Sequence, residues 1–237
     1  MPVNEDLTQP DTRAVAGIDG CRSGWAVVAG PSARRASCQI VPSPEALDRF
    51  RGILAIDMPM GFPDEGTRAC EMLARERLPT TRKSSVFPVP PRAALNAATF
   101  EDALAIARAK SGRGISKQSF NLFPKMRELD AWLRARKRRA YEAHPELAFA
   151  RLAKNRALAP KRTPEGRAAR MRLLRAEGFT ELEEWIERFP RSRAQPDDIL
   201  DAAALWLTAA RIHDGKAESL PARAPRDAYG IAMRIWV

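Results

Sequence analysis

The feature that most restricts this chain is a carboxylate in the middle of an apolar helix. Pro196 opens a helical stretch, and Asp197 to Arg211 is nearly all Ala, Leu, Ile and Trp. A helix that is apolar on every side is buried over most of its surface. Asp201 lies inside it, between Leu200 and Ala202. An unpaired charge taken out of water costs several kcal/mol or takes up a proton, so a buried Asp normally has a cation, a metal or strong donors beside it. Asp198 lies one turn earlier. Spacing i and i+3 puts both carboxylates on one helix face, a workable pair of oxygen ligands for a divalent metal. Acids at a helix start also favour the positive end of the dipole, which accounts for Asp197 and Asp198 without function but accounts less well for Asp201.

Two more aspartates end apolar runs. Ala14 to Asp19 reads as a strand, and Trp25 to Ala29 and Ser37 to Val41 continue it as an antiparallel meander. Ser43 and Pro44 then predict a helix with Ala46, Leu47 and Phe50 on its apolar face. Ile53 to Asp57 is a continuous apolar strand of the kind buried on both faces, and Arg139 to Glu142 is a further short strand. The carboxyl ends of adjacent parallel strands converge on one edge of an α/β sheet. If these strands are neighbours, Asp19, Asp57 and Glu142 meet the Asp198 and Asp201 face around one pocket. Carboxylates crowd together only with cations among them, so the set predicts Mg2+ or Mn2+. In two-metal sites the ions stand about 3.5 to 4 Å apart, activate a water and stabilise the leaving oxygen of a phosphodiester.

Between the second and third of those carboxylates the pattern changes. Pro63, Pro79, Pro88, Pro90 and Pro91 break any long element, which predicts an irregular and helical insertion at about 62–137 with helices over Phe100 to Lys110 and Pro124 to Lys137. Downstream, Pro145 to Lys154 reads as a helix, Thr163 caps another that ends before Gly178, and Thr180 with Glu183 forms a capping box. Tyr229 to Val237 alternates as an edge strand would. Trp25, Trp132, Trp185 and Trp206 are most simply core residues. The expected organisation is a polar tail over 1–12 and a single domain over 13–237.

Composition narrows the class. A chain of 237 residues with 45% hydrophobic residues fills one core well. Charged residues at 29%, a mean hydropathy of −0.38 and no apolar run near the ~18 residues of a spanning helix exclude a membrane protein. The opening stretch has neither the positive start nor the apolar centre of a secretory signal, and the three cysteines and two histidines are too few and too scattered for a disulfide framework or a zinc site. A cytoplasmic location is expected. The net charge is +11, and Arg134 to Arg172 alone carries thirteen bases against three acids. Such a block attracts nucleic-acid backbones by Coulomb attraction and counterion release, although a solvated helical face in an arginine-rich chain is the plainer account.

The motifs taken together resemble a known family. Gly17, Ile18, Asp19, Gly20 before Gly24 and Trp25 come first, then Ile56 to Gly61, then Glu142 to Glu146, then Asp197 to Ala202. The Ser84 to Pro88 and Gly114 to Gln118 stretches agree as well. This combination resembles domain family of unknown function 429, described as predicted nucleases with an RNase H-like fold. The resemblance implies an α/β domain, its mixed sheet starting with three antiparallel strands and continuing with parallel ones, flanked by helices. In the wider superfamily one Asp lies on the first strand, an acid on the fourth and an Asp pair on the last helix. Asp19, Asp57, Asp198 and Asp201 occupy those places as metal ligands, with Glu142 completing the shell or orienting water. The implied activity is metal-dependent hydrolysis of DNA or RNA. His144 is a candidate proton shuttle or phosphate contact, with a structural role ahead of Pro145 as the alternative, and Lys161, Arg167 and Arg170 are candidate phosphate contacts. Arg68, Glu71 and Arg75 share a helical face as an ion-pair set or a substrate lip, the former favoured. Two other activities stay open. One is a nucleic-acid-binding protein that keeps the acids but does not cleave. The other is a small-molecule phosphohydrolase or ATPase, to which the Gly20 to Gly24 turn around Ser23 also bears a likeness.

Overall fold

A computed structural model describes residues 14–135 and 139–237. The polar stretch 1–12 and the expected continuation of a helix to Lys137 lie outside the described residues. β1 (Val15–Cys21), β2 (Gly24–Gly30) and β3 (Ser37–Val41) form the antiparallel meander. β4 (Ile53–Asp57) lies on the other side of β1 and runs parallel to it. The insertion then carries α1 (Ala69–Glu76), α2 (Phe100–Ser111), α3 (Lys117–Asn121) and α4 (Phe123–Ala135), with 3-10 turns at Thr80–Ser85 and Arg92–Asn96. β5 (Ala140–Glu142) returns parallel to β4. α5 (Pro145–Leu152), α6 (Pro164–Ala176), α7 (Leu182–Arg188) and α8 (Pro196–His213) follow, and the chain ends in the two-residue strands β6 (Ser219–Leu220) and β7 (Ile235–Trp236). The sheet order β3-β2-β1-β4-β5, antiparallel on one side of β1 and parallel on the other, with helices flanking it, is the mixed α/β arrangement expected of an RNase H-like fold.

Strand alternation divides this sheet into two apolar faces. Val15, Ile53 and Ala55 face one core with Ile199, Ala202 and Leu205 of α8. Ala16, Ile18, Leu54 and Ile56 face a second core with Phe123, Met126 and Trp132 of α4. Both faces of β1 and β4 are therefore covered, which is why these strands read as unbroken apolar runs.

α8 lies directly against β1 at Gly17. A Cβ there would stand 2.0 Å from both Ala202 O and Trp206 N. Those neighbours are backbone atoms of a buried helix, so no side chain can turn aside to make room. Trp206 fastens the same crossing from the far side, its indole N–H donating to Gly30 O at 3.1 Å.

Three local expectations are corrected. The helix expected from Pro44 is a single 3-10 turn, Pro44–Leu47. Its N–H groups bond three residues back, as Ala46 N does to Ser43 O, and β4 begins too soon for a second turn. The Thr180 and Glu183 capping box does not form. α7 starts at Leu182 with Glu181 in the cap position, and the Glu181 carboxylate instead accepts from Trp185 Nε1 at 3.2 Å. The edge strand over Tyr229 to Val237 shrinks to Ile235–Trp236, paired with Ser219–Leu220. Asp227 Oδ1 accepts from Tyr229 N and Ile231 N, removing the donors a longer ladder would use. Among the described residues no helix is long and apolar enough to cross a membrane.

Gly17→Ala is expected to lower Tm by about 2–12 °C in a circular-dichroism melt, since overpacking costs about 1–3 kcal/mol and each kcal/mol moves a chain of this size by about 2–4 °C. Gly20→Ala, whose Cβ would meet nothing nearer than 3.6 Å, is expected to melt close to the wild type.

Candidate functional site

Asp19 and Asp57 are Cα partners in the parallel ladder of β1 and β4. Neighbouring strands lie about 4.8 Å apart and residues in register share a face, so the two carboxylates emerge side by side at the carboxyl ends of the strands. That face is the one α8 covers. Because α8 crosses β1 at Gly17, its first turns bring Asp198 and Asp201 to the same end of the sheet, and all four aspartates line one cavity of about 360 Å³. Asp201 is 1% exposed and Asp19 8%, while Asp57 and Asp198 are half-buried.

One ammonium opposes this charge. Lys161 Nζ lies 2.6 Å from Asp201 Oδ2 and 3.5 Å from Asp197 Oδ2. The other Asp201 oxygen, Oδ1, is buried and has no hydrogen-bond partner. Asp198 closes the start of α8 as a capping box, its Oδ2 accepting from Gln195 N at 2.8 Å. Burial drives the acids toward their neutral forms. Asp19 is pushed well above the usual carboxylate range by burial and then by the charges of Asp57, Asp201 and Asp198. Burial raises Asp57 too, against the opposing pull of His144 and Lys161. Asp201 rises to about 7 through burial in spite of Lys161, and Asp198 to about 6 through burial in spite of the Gln195 N–H.

Glu142 ends its strand as expected and lines the same cavity as the aspartates, but its carboxylate is taken up by Arg68. It pairs in register with Ile56, not Asp57. Strand side chains alternate, so a step of one residue turns Glu142 away from the Asp57 carboxylate, to a part of the cavity wall that Arg68 and Glu71 also line. Arg68 meets it there in a two-pronged pair, Nη1 to Oε2 at 2.9 Å and Nη2 to Oε1 at 2.6 Å. Met60 N also donates to Oε2 at 2.7 Å. Arg68 further donates to Glu71 at 2.6 Å and to the carbonyls of Met60 and Gly61. Burial raises Glu142 to about 7 against the pull of Arg68. Arg68 thus ties the loop after β4 to the end of β5. The ion-pair set expected on α1 is half right, because Arg75 donates to Val86 O instead. Among the described residues, Cys70, Glu71 and Glu142 form the group whose ligand atoms all lie within 4.8 Å of one another, and a metal ion could be held there. In this conformation Arg68 supplies the positive charge.

The expected substrate contacts divide. Lys161 lines the aspartate cavity, together with Arg162 and Arg82, which sequence reading did not single out. Arg170 is 1% exposed, pairs with Glu146 at 2.7 Å, donates to Ala159 O and Gly166 O, and lies over the Phe149 ring. It is a core tie between α5 and α6 and is corrected as a phosphate contact. Arg167 does not line the cavity. His144 borders it, but Nδ1 accepts from Glu146 N at 3.2 Å and Nε2 lies 3.3 Å from Ser85 O. Both ring nitrogens are thereby committed, one to capping α5 and the other to the insertion. The basic block does not act as one surface either. Arg170 goes inside, Lys161 and Arg162 go to the cavity, and Arg134 pairs with Asp130 and lies over Tyr229.

The insertion closes the cavity from above. Ser85, Val86 and Phe87 line it, with Gln118 and Leu122 beside them. All but Leu122 come from the Ser84 to Pro88 and Gly114 to Gln118 stretches, and the place of Phe87 and Arg82 at the cavity carried no signal in composition or periodicity.

Two outcomes follow from this charge balance. Arg68→Ala leaves Glu142 and Glu71 buried without their cation, and is expected to cost about 3–5 kcal/mol in chemical denaturation. A raised carboxylate pKa adds stability in full below its ordinary value and loses it as the pH climbs through the raised value, here about 6 to 7 for Asp198 and Asp201. Asp19→Asn removes one of the repelling charges, so its Tm relative to the wild type is expected to be several °C higher at pH 8 than at pH 5. Equal differences at the two pH values would show that the acids do not repel.

No match was found among curated proteins or among solved structures. A family model described as a protein of unknown function (DUF429) matches residues 17–226. The matched span runs from the glycine beneath α8 through the insertion to the residue before Asp227, and so takes in the side chains that line the aspartate cavity except Ile235. The chain belongs to the DUF429 family of proteins of unknown function.

Proposed function

We propose that this protein is a divalent-metal-dependent nuclease that hydrolyses phosphodiester bonds of nucleic acid, with Asp19, Asp57 and Asp201 as metal ligands and Asp198 contributing the oxygen its cap leaves over. The observation that carries this reading is the convergence of four aspartates from β1, β4 and α8 on one cavity with Lys161 as the nearby cation and Asp201 Oδ1 without a donor. A buried acceptor without a partner costs about 1–3 kcal/mol, and crowded carboxylates at neutral pH call for more positive charge than the one ammonium in contact with Asp201. A set made only of carboxylate oxygens suits Mg2+ or Mn2+, which prefer hard oxygen donors. When bound, such an ion supplies charge for the developing phosphoryl oxygens and lowers the pKa of an attacking water.

The remaining work falls to the chain. Strand register holds Asp19 and Asp57 side by side, and the capped first turn of α8 holds Asp198. Lys161 and Arg162 at the cavity wall offer cations to the substrate phosphates, and Arg68 with Glu142 fixes the loop that carries Met58 and Pro59 along the cavity. Glu142 is here a positioning residue and His144 a helix cap.

Calorimetry with Mn2+ tests the metal site. The wild type is expected to bind, and the Asp19→Asn, Asp201→Asn double variant, checked for folding by circular dichroism, is expected not to. Cleavage of single-stranded, duplex, hybrid and branched substrates in Mn2+, abolished by a chelator, tests the activity. A folded wild type that binds no Mn2+ even with an oligonucleotide present sinks the metal-nuclease reading. Salt-sensitive binding without turnover would instead identify a non-cleaving nucleic-acid-binding protein. Phosphate release from nucleotides, insensitive to added nucleic acid, would identify a phosphohydrolase.

A further inference from the structure

We infer that the cleft takes its nucleic acid as an unpaired strand laid across the aspartates with a base against Phe87, an inference that rests on the nuclease reading for what happens at the acids. A second cavity of about 370 Å³ shares Asp19, Asp57, Asp198, Phe87 and Leu122 with the first. The two are lobes of one cleft, with the aspartates as floor and the insertion as roof.

Both lobes carry basic side chains beside the acids they share, and the first also carries Glu71, Glu142, Glu146 and Asp197. Arg82, Lys161 and Arg162 line the first lobe. Arg22 and Lys125 line the second, where Lys125 is held by a bond to Gly24 O at 2.7 Å and lies 4.5 Å over the Trp25 ring. A small phosphate ester would use cations on one side of the acids. A strand presents phosphates on both sides of the bond that breaks, and only a chain running through both lobes engages both groups of cations.

The roof speaks for a single strand. Phe87 is half-buried and borders both lobes. Stacking of an unpaired base on an aromatic ring contributes about 1–3 kcal/mol and tolerates any base. In a duplex the bases are stacked every 3.4 Å along each strand and paired across it, so they cannot turn to Phe87. The floor is deep as well, with Asp201 only 1% exposed.

Fluorescence anisotropy in Ca2+, a hard cation that neutralises the acids, tests this with labelled thymidine and uridine strands of about 15 nucleotides and with the duplex each forms with its complement. The same four substrates are then offered to the wild type in Mn2+ for cleavage. Single strands are expected to bind at least tenfold tighter than duplexes, and the DNA and RNA arms report which sugar is preferred. Phe87→Leu, which keeps apolar bulk but not the ring, and Phe87→Ala are each expected to weaken single-strand binding about fivefold or more. Arg22→Gln and Arg162→Gln, one at each end, are each expected to reduce the slope of log K against log salt by about 0.7. Duplexes bound and cut as well as single strands, Phe87 variants that bind like the wild type, or no binding of either form would overturn the inference. Phe87-dependent binding of single strands with no cleavage of any substrate would leave the inference standing and overturn the nuclease reading.

Discussion

The close approach of α8 to β1 at Gly17 underlies the rest of the structure. With no side chain at that position the helix backbone touches the strand backbone, and the alanines of α8 keep the same contact shallow along its length. Two consequences follow. The apolar surface of both elements is removed from water together, and the first turns of α8 are brought to the carboxyl ends of β1 and β4. The same contact that fills the core therefore gathers Asp198 and Asp201 with Asp19 and Asp57.

The two faces of the sheet solve the problem of buried charge differently. On the insertion face, Glu142 and Glu71 are neutralised by Arg68, whose guanidinium also ties down the carbonyls of Met60 and Gly61. That network is closed, with donors and acceptors matched. On the α8 face the acids outnumber Lys161 and one oxygen has no partner, so the balance there is left open to protons or to a bound cation. A closed network suits a structural tie, and an open one suits a site whose charge changes during use.

Much of the fold was legible in the residues. β1 to β4 follow from apolar runs with turn residues between them, and α8 from its opening proline and apolar composition. Asp201 was legible as a site residue because a carboxylate has no other business in so apolar a helix. The misreadings have one physical origin. Glu142 ends its strand just as Asp19 and Asp57 do and lines the same cavity, but the one-residue step in pairing register gives its carboxylate to Arg68. Arg170 carries the same charge as Lys161, and only packing against Phe149 and Glu146 makes it a core residue. His144 was ambiguous until the Glu146 N–H and Ser85 O occupied its nitrogens. Tyr229 to Val237 has the alternation of a strand, yet Asp227 takes the N–H groups that would have paired.

The amino-acid sequence by itself determined β1 to β4, α8 and the carboxylates at their ends, because hydrophobic periodicity and the cost of burying charge act within a few residues along the chain. The tertiary structure alone decided which charges meet. Strand register and the fold of the insertion gave the Glu142 carboxylate to Arg68, the passage of the chain after α5 brought Lys161 to Asp201, and the folding back of the insertion set Phe87 and Arg82 over the cavity. Those pairings join residues tens of positions apart, and their energies depend on distance and burial, which exist only once both faces of the sheet are covered.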